Sequence, residues 1–187
     1  MSLTSEHAAR LRHWQVPKTS HSYTRRDAAL YALSIGFGDN PLDRQELRFV
    51  DHTRADFRAV PSFALILGYP GFWLGEKATG LDVGRLLHIE QSIEILEPLA
   101  PSGHVTAETT VTDLLDLGAV KGAILCSRRD IRDGDNRLVA VVRQSHMLRG
   151  YGGFGGERPE KPAMTALGEP VWSVSTKVLP QQALLYR

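Results

Sequence analysis

The chain has 187 residues, 42% hydrophobic and 23% charged, with a formal net charge of +1. That length suits one well-buried core, or one domain plus an interdomain connection, and the mixed charge leaves no basic footprint for nucleic acid. The single cysteine, Cys126, excludes an intrachain disulfide and a multi-cysteine metal cluster, and no apolar run nears the roughly 18 residues of a membrane span.

Residues 1–23 are polar and read as an N-terminal arm ordered by packing elsewhere. Ser5-Glu-His-Ala-Ala-Arg-Leu-Arg-His-Trp14 offers no apolar h-region, so the chain reads as soluble and cytoplasmic. Thr24-x-x-Asp27 then resembles a capping box, and Ala28, Tyr31, Ala32 and Ile35 share one helical face. The pattern predicts a helix to about Ile35, ended by Gly36, Gly38 and Asn40-Pro41. Gly38-Asp-Asn-Pro-Leu-Asp43 places two carboxylates, Asp39 and Asp43, beside a tight turn where acid/base work is a candidate.

Leu47-Arg-Phe-Val50 reads as a short strand. Pro61 is placed to open a helix over Ser62-Phe-Ala-Leu-Ile-Leu67, although an inner strand fits the same apolar run. Residues 71–85 hold four glycines and read as a loop. From Leu86 the period becomes two, with His88, Glu90, Ser92 and Glu94 on one face and Ile89, Gln91, Ile93 and Ile95 on the other. Three more strands follow, with turns at residues 98–103, at Asp116-Leu-Gly118 and at Asp133-Gly-Asp-Asn136. The four strands predict an antiparallel meander, long enough to curve around a buried helix.

Gly150-Tyr-Gly-Gly-Phe-Gly-Gly156 has the letters of a dinucleotide fingerprint, but Glu157-Arg-Pro159 replaces the helix that the motif requires. It reads as a turning linker with Phe154 in the core, followed by a stretch to Pro170 that leaves the sheet and by a possible new strand over residues 171–179. Cys126, inside Ala123-Ile-Leu-Cys126, reads as a buried small residue. His88 and Glu90 are either a polar pair lining a ligand cleft or a solvated pair on an open strand face. His52 beside Asp51 carries little, because neighbours in a strand point in opposite directions. No His-x3-His, Gly-x-Ser-x-Gly or Walker motif occurs.

Tyr31-Ala-Leu, Gly38-Asp-Asn-Pro-Leu-Asp43, Glu46-Leu-Arg-Phe-Val50, Val60-Pro-Ser-Phe63, Leu87-His-Ile-Glu-Gln91, Pro98-Leu99 and Arg149-Gly-Tyr-Gly-Gly-Phe-Gly-Gly156 follow one another in order. From about Tyr23 this series resembles the N-terminal half of the MaoC-like (R)-specific 2-enoyl-CoA hydratases, the type 2 hydratases also found within peroxisomal multifunctional enzymes. The resemblance implies an α+β hot-dog fold, a long curved antiparallel sheet wrapped around a short helix, forming one half of a double hot dog. It places the N-terminal half at residues 24–149 and a linker with the start of a second half at 150–187. The opening of the stretch from Ala29 returns as Ala183-Leu-Leu-Tyr-Arg187, the expected start of that second copy.

In the family the second copy carries Tyr-x-Leu-Ser-Gly-Asp-x-Asn-Pro-Leu-His, whose aspartate and histidine do the chemistry. The resemblance therefore puts the catalytic pair beyond Arg187. It makes the first-copy turn, one residue shorter and ending in Asp43, a degenerate twin. His88 is the expected acyl-CoA contact, with Ile89 where the family has glycine, and Leu117 where relatives carry a lysine that Lys121 could replace. The implied partners are acyl-CoA and a second hot-dog half or a homo-oligomer, with no nucleic acid, membrane, metal or redox cofactor. A non-catalytic subunit paired with a separate active chain, and a hot-dog acyl-CoA thioesterase using Asp39 or Asp43, are the alternatives.

Overall fold

A computed structural model describes residues 3–158, 168–175 and 178–186. Residues 159–167 of the expected linker lie outside that range, as do 176 and 177. The remainder of the expected strand over 171–179 is irregular.

Helix α1 (Ser5–Arg12) starts at Thr4, whose hydroxyl accepts the His7 N–H at 3.1 Å, and it buries Ala8 and Leu11. Strand β1 (Thr19–Tyr23) follows. The segment expected as an arm thus supplies a packed helix and a sheet strand, so the sheet begins before Thr24. Thr24 and Asp27 form a full capping box on α2 (Arg25–Ser34), which buries Ala28, Tyr31 and Ala32.

Residues 44–50 depart from expectation. They form helix α3 (Arg44–Val50) rather than a strand, because the Asp43 side chain caps the Gln45 N–H at 2.8 Å and Glu46 occupies the first turn. After Pro61 the apolar run becomes a five-residue 3-10 helix, Pro61–Leu65. Phe63, fully buried, meets the rings of Tyr23 and Tyr31, each at 5.4 Å between centroids. Removing such a ring costs about 3–5 kcal/mol.

Strands β2 (Leu86–Ile95), β3 (Gly103–Asp116), β4 (Gly122–Arg132) and β5 (Leu138–Arg149) complete a five-stranded antiparallel sheet in the order β1-β3-β4-β5-β2. Only β3, β4 and β5 form a meander. β2 pairs with β5 instead of β3, a correction that strand periodicity cannot reveal because it reports faces and not partners.

On β4 the residues Ala123, Leu125, Ser127, Arg129 and Ile131 are buried in strict alternation, which marks the inner face. Two apolar clusters cover that face. One gathers Tyr31, Phe63, Leu67, Ile131 and Val142, and the other Leu11, Trp73, Leu74, Leu125 and Leu148. The short helix within the curved sheet is the hot-dog arrangement.

Candidate functional site

The Gly36–Asp43 turn comes first. Asp43 is engaged as the α3 cap, and Glu46 accepts the Gly38 N–H at 2.8 Å. Asp39 is exposed and lines a cleft of about 670 Å³ with Leu33, Glu46, Leu179 and Gln182. Among the described residues the turn therefore presents one aspartate without a partner, Asp39, and the turn contains no histidine. It holds no acid/base pair of the kind that water activation needs.

On β2 the sequence reading of His88 and Glu90 needs correction. A β-bulge at Ile89 pairs His88 with His146 and Glu90 with Ser145, successive residues of β5. Opposed residues share a face, so His88 and Glu90 point to opposite faces. The His88 ring stacks on His146 with centroids 5.1 Å apart, and its Nε2 donates to the Glu90 carbonyl at 3.0 Å. Burial, then the charge of His88, lowers His146 from 6.5 to about 4. The imidazole is neutral at pH 7. Ile89 is the unpaired bulge residue and is 47% exposed.

Leu117 lies in the β3–β4 turn, where its N–H donates to the Gly122 carbonyl at 2.9 Å. It is at the same end of the sheet as His88, but β4 and β5 intervene, a separation of roughly 14 Å by strand spacing. The two expected contacts flank a shared end of the sheet without meeting. Cys126 is half-buried beside Ser145, with Sγ 3.6 Å from Oγ. Burial pushes its thiol up, away from nucleophile behaviour.

The glycine-rich run is tied down. Asp116, buried at the end of β3, accepts N–H groups from Gly118, Gly153 and Gly155 at 2.7–2.8 Å. Burial raises its carboxyl, but the backbone donors outweigh burial and hold it below the ordinary range. Phe154 packs against the second cluster as expected.

Sequence reasoning missed Arg129, which is 3% exposed on the inner face. Its guanidinium donates to the carbonyls of Ala64 and Leu65 at 3.4 and 2.5 Å and lies 5.4 Å from the centre of the Tyr69 ring. Burial lowers it to about 10. The signal was present in the alternation of β4, which puts an arginine on an otherwise apolar face. Among the described residues, no group of three or more His, Cys, Asp or Glu could hold a metal ion. No helix among them is long and apolar enough to cross a membrane.

A sequence profile described as the MFE-2 hydratase 2 N-terminal domain matches residues 21–150. The chain belongs to that family. An enoyl-CoA hydratase of Mycobacterium tuberculosis, ChsH3, is 35% identical over 92% of this chain and 61% of its own length. The peroxisomal enoyl-CoA hydratase 2 of Arabidopsis thaliana is 32% identical over the same shares, 92% and 61%. Among solved structures, a MaoC-like dehydratase from Phytophthora capsici superposes with a TM-score of 0.77 at 28% identity, covering 96% of this chain and 63% of that one. The chain thus spans about three fifths of the length of these relatives.

Proposed function

We propose that these residues form the substrate-holding half of an enoyl-CoA hydratase. Water adds across trans-2-enoyl-CoA to give (3R)-hydroxyacyl-CoA, with the acid/base pair supplied by a second hot-dog half. In this reading backbone donors polarise the thioester oxygen. The reaction is a hydration, balanced without oxidant or reductant, so the reading calls for no redox cofactor and no metal. A free cysteine suits a reducing compartment, and the cytoplasm is the location that goes with this reading.

The observation that carries the proposal is the state of the first-copy turn. Asp43 caps a helix and Glu46 holds Gly38, so the turn serves the fold while the family's fold is retained around it. The tail gives independent support. Residues Gln182–Tyr186 form a short helix α4 that packs on α2, and Tyr186 meets Tyr31 at 6.0 Å. Leu30-Tyr31 and Leu185-Tyr186 are equivalent positions of the repeat, and contact between equivalent residues is what a twofold relation between two copies places near its axis.

In the protein carrying both halves, an Asp39→Asn/Asp43→Asn double variant is expected to keep hydration within about threefold. A loss of about a hundredfold or more would place the chemistry in the first copy. Asp39, free in its cleft, is the group that favours the thioesterase reading. Hydrolysis of acyl-CoA by this chain alone, abolished by Asp39→Asn, would establish it.

A further inference from the structure

The sheet has a second face, turned away from both apolar clusters. On it the register aligns Leu87 of β2, Met147 of β5, Ile124 of β4 and Leu115 of β3 in one row across four strands. Their chain neighbours Leu148, Leu125 and Leu114 are buried on the inner face, so strand alternation turns these four outward. Leu87 is exposed and the other three are half-buried. Among the described residues none of the four packs against either cluster.

Charges flank the row, one sign to each side. Toward the near end of the sheet lie Arg149 on β5 and Lys121 in the β3–β4 turn, both exposed. On the other side Glu90, Ser145, Cys126 and Asp113 form the next row, with an exposed carboxylate at each end and two small side chains between. The small residues leave a depression of about 250 Å³ that Glu90 and Asp113 flank.

The order basic, apolar, acidic matches itself under a twofold axis. An axis normal to the sheet between Met147 and Ile124 reverses both strand order and row order, so Leu87 meets Leu115 and Met147 meets Ile124, apolar on apolar. The same operation carries Arg149 over Cys126 of the second copy, at the depression, with Asp113 one strand away at about 5 Å. The turn holding Lys121 falls opposite Glu90 of the second copy. Unlike charges are thus opposed on both sides of the apolar row.

We infer that this outer face is a contact between two copies of the protein, in which Arg149 of each enters the carboxylate-flanked depression of the other. The self-matching order selects a second copy as the occupant, because a partner of different sequence has no need of it. Three strand spacings by two row spacings cover roughly 14 by 14 Å, less than the about 800 Å² per partner of a standard interface. The contact is therefore weak, with half-association at about 10–100 μM. The inference is independent of the acyl-CoA reading.

Sedimentation of the protein carrying both halves tests it. The mass of the smallest species is expected to double as concentration rises. Arg149→Glu should weaken this doubling about tenfold or more, and so should Glu90→Lys/Asp113→Lys, because each variant opposes like charges across the axis. An equal mixture of the two variants should associate within about threefold of the wild type, since the acidic side of one then meets the basic side of the other. That recovery requires both variants to be folded. No doubling in the wild type, variants that associate as the wild type does, or a mixture no better than either variant alone would overturn the inference. Doubling of this chain alone but not of the protein carrying both halves would give the face to the second half and overturn it as well.

Discussion

The Asp116 carboxylate accepts the backbone N–H of Gly153 at 2.7 Å, joining positions 37 residues apart. With Gly118 and Gly155 bonded to the same side chain, it fixes how the chain leaves β5. Asp116→Ala leaves these donors unpaired and is expected to cost about 3 kcal/mol. Hydrogen exchange should show the amides of Gly153 and Gly155 losing protection first. Because the folded carboxyl sits below its ordinary value, its stabilisation is complete above about pH 4 and is lost as the pH falls further.

His146 acts over a different pH window. Its folded value of about 4 lies below the ordinary histidine value of 6.5. The unfolded chain therefore takes up a proton first, and stability falls as the pH drops from about 6.5 to about 4. The whole shift corresponds to about 3 kcal/mol, which solvent screening of a half-buried ring reduces to about 1–2 kcal/mol. Urea unfolding at several pH values should show this slope in the wild type and not in His146→Gln.

Gly152 approaches two carbonyls closely. A Cβ there would lie 2.2 Å from the Gly122 oxygen and 2.3 Å from that of Gly118. Gly152→Ala is expected to cost about 3 kcal/mol and lower the melting temperature by roughly 5–10 °C. A Cβ on Gly134 meets nothing within 4 Å, so Gly134→Ala should stay within about 0.5 kcal/mol of the wild type. Paired thermal melts check both.

Among the described residues nothing pairs with the outer edge of β2, and Leu87 and Ile89 on it are each 47% exposed. Leu30, Leu184 and Tyr186 are exposed on α2 and α4 as well. This chain without a second half is expected to self-associate through these surfaces. Sedimentation should show a dimer or larger species that Leu87→Lys shifts toward monomer. A monomer at high concentration would contradict the prediction.

Local signals carried much of the fold. Thr24 and Asp27 announced α2, and period-two alternation with Asp-Gly turns located the long strands. The misses have physical causes. Asp43-x-x-Glu46 is itself a helix-start pattern, which the β-rich letters of Leu47-Arg-Phe-Val50 obscured. The pairing of β2 with β5 depends on a crossover that no local pattern encodes, and a one-residue bulge at Ile89 separated His88 from Glu90. Arg129, Ser127 and Gln144 share a surface only through the register of three strands.

The most direct test of the central claim is crotonyl-CoA hydration by this chain alone and by the protein carrying both halves. The account predicts (3R)-hydroxybutyryl-CoA from the two halves together and no turnover from this chain. Hydration by residues 1–187 alone, or none by the complete pair, would contradict it.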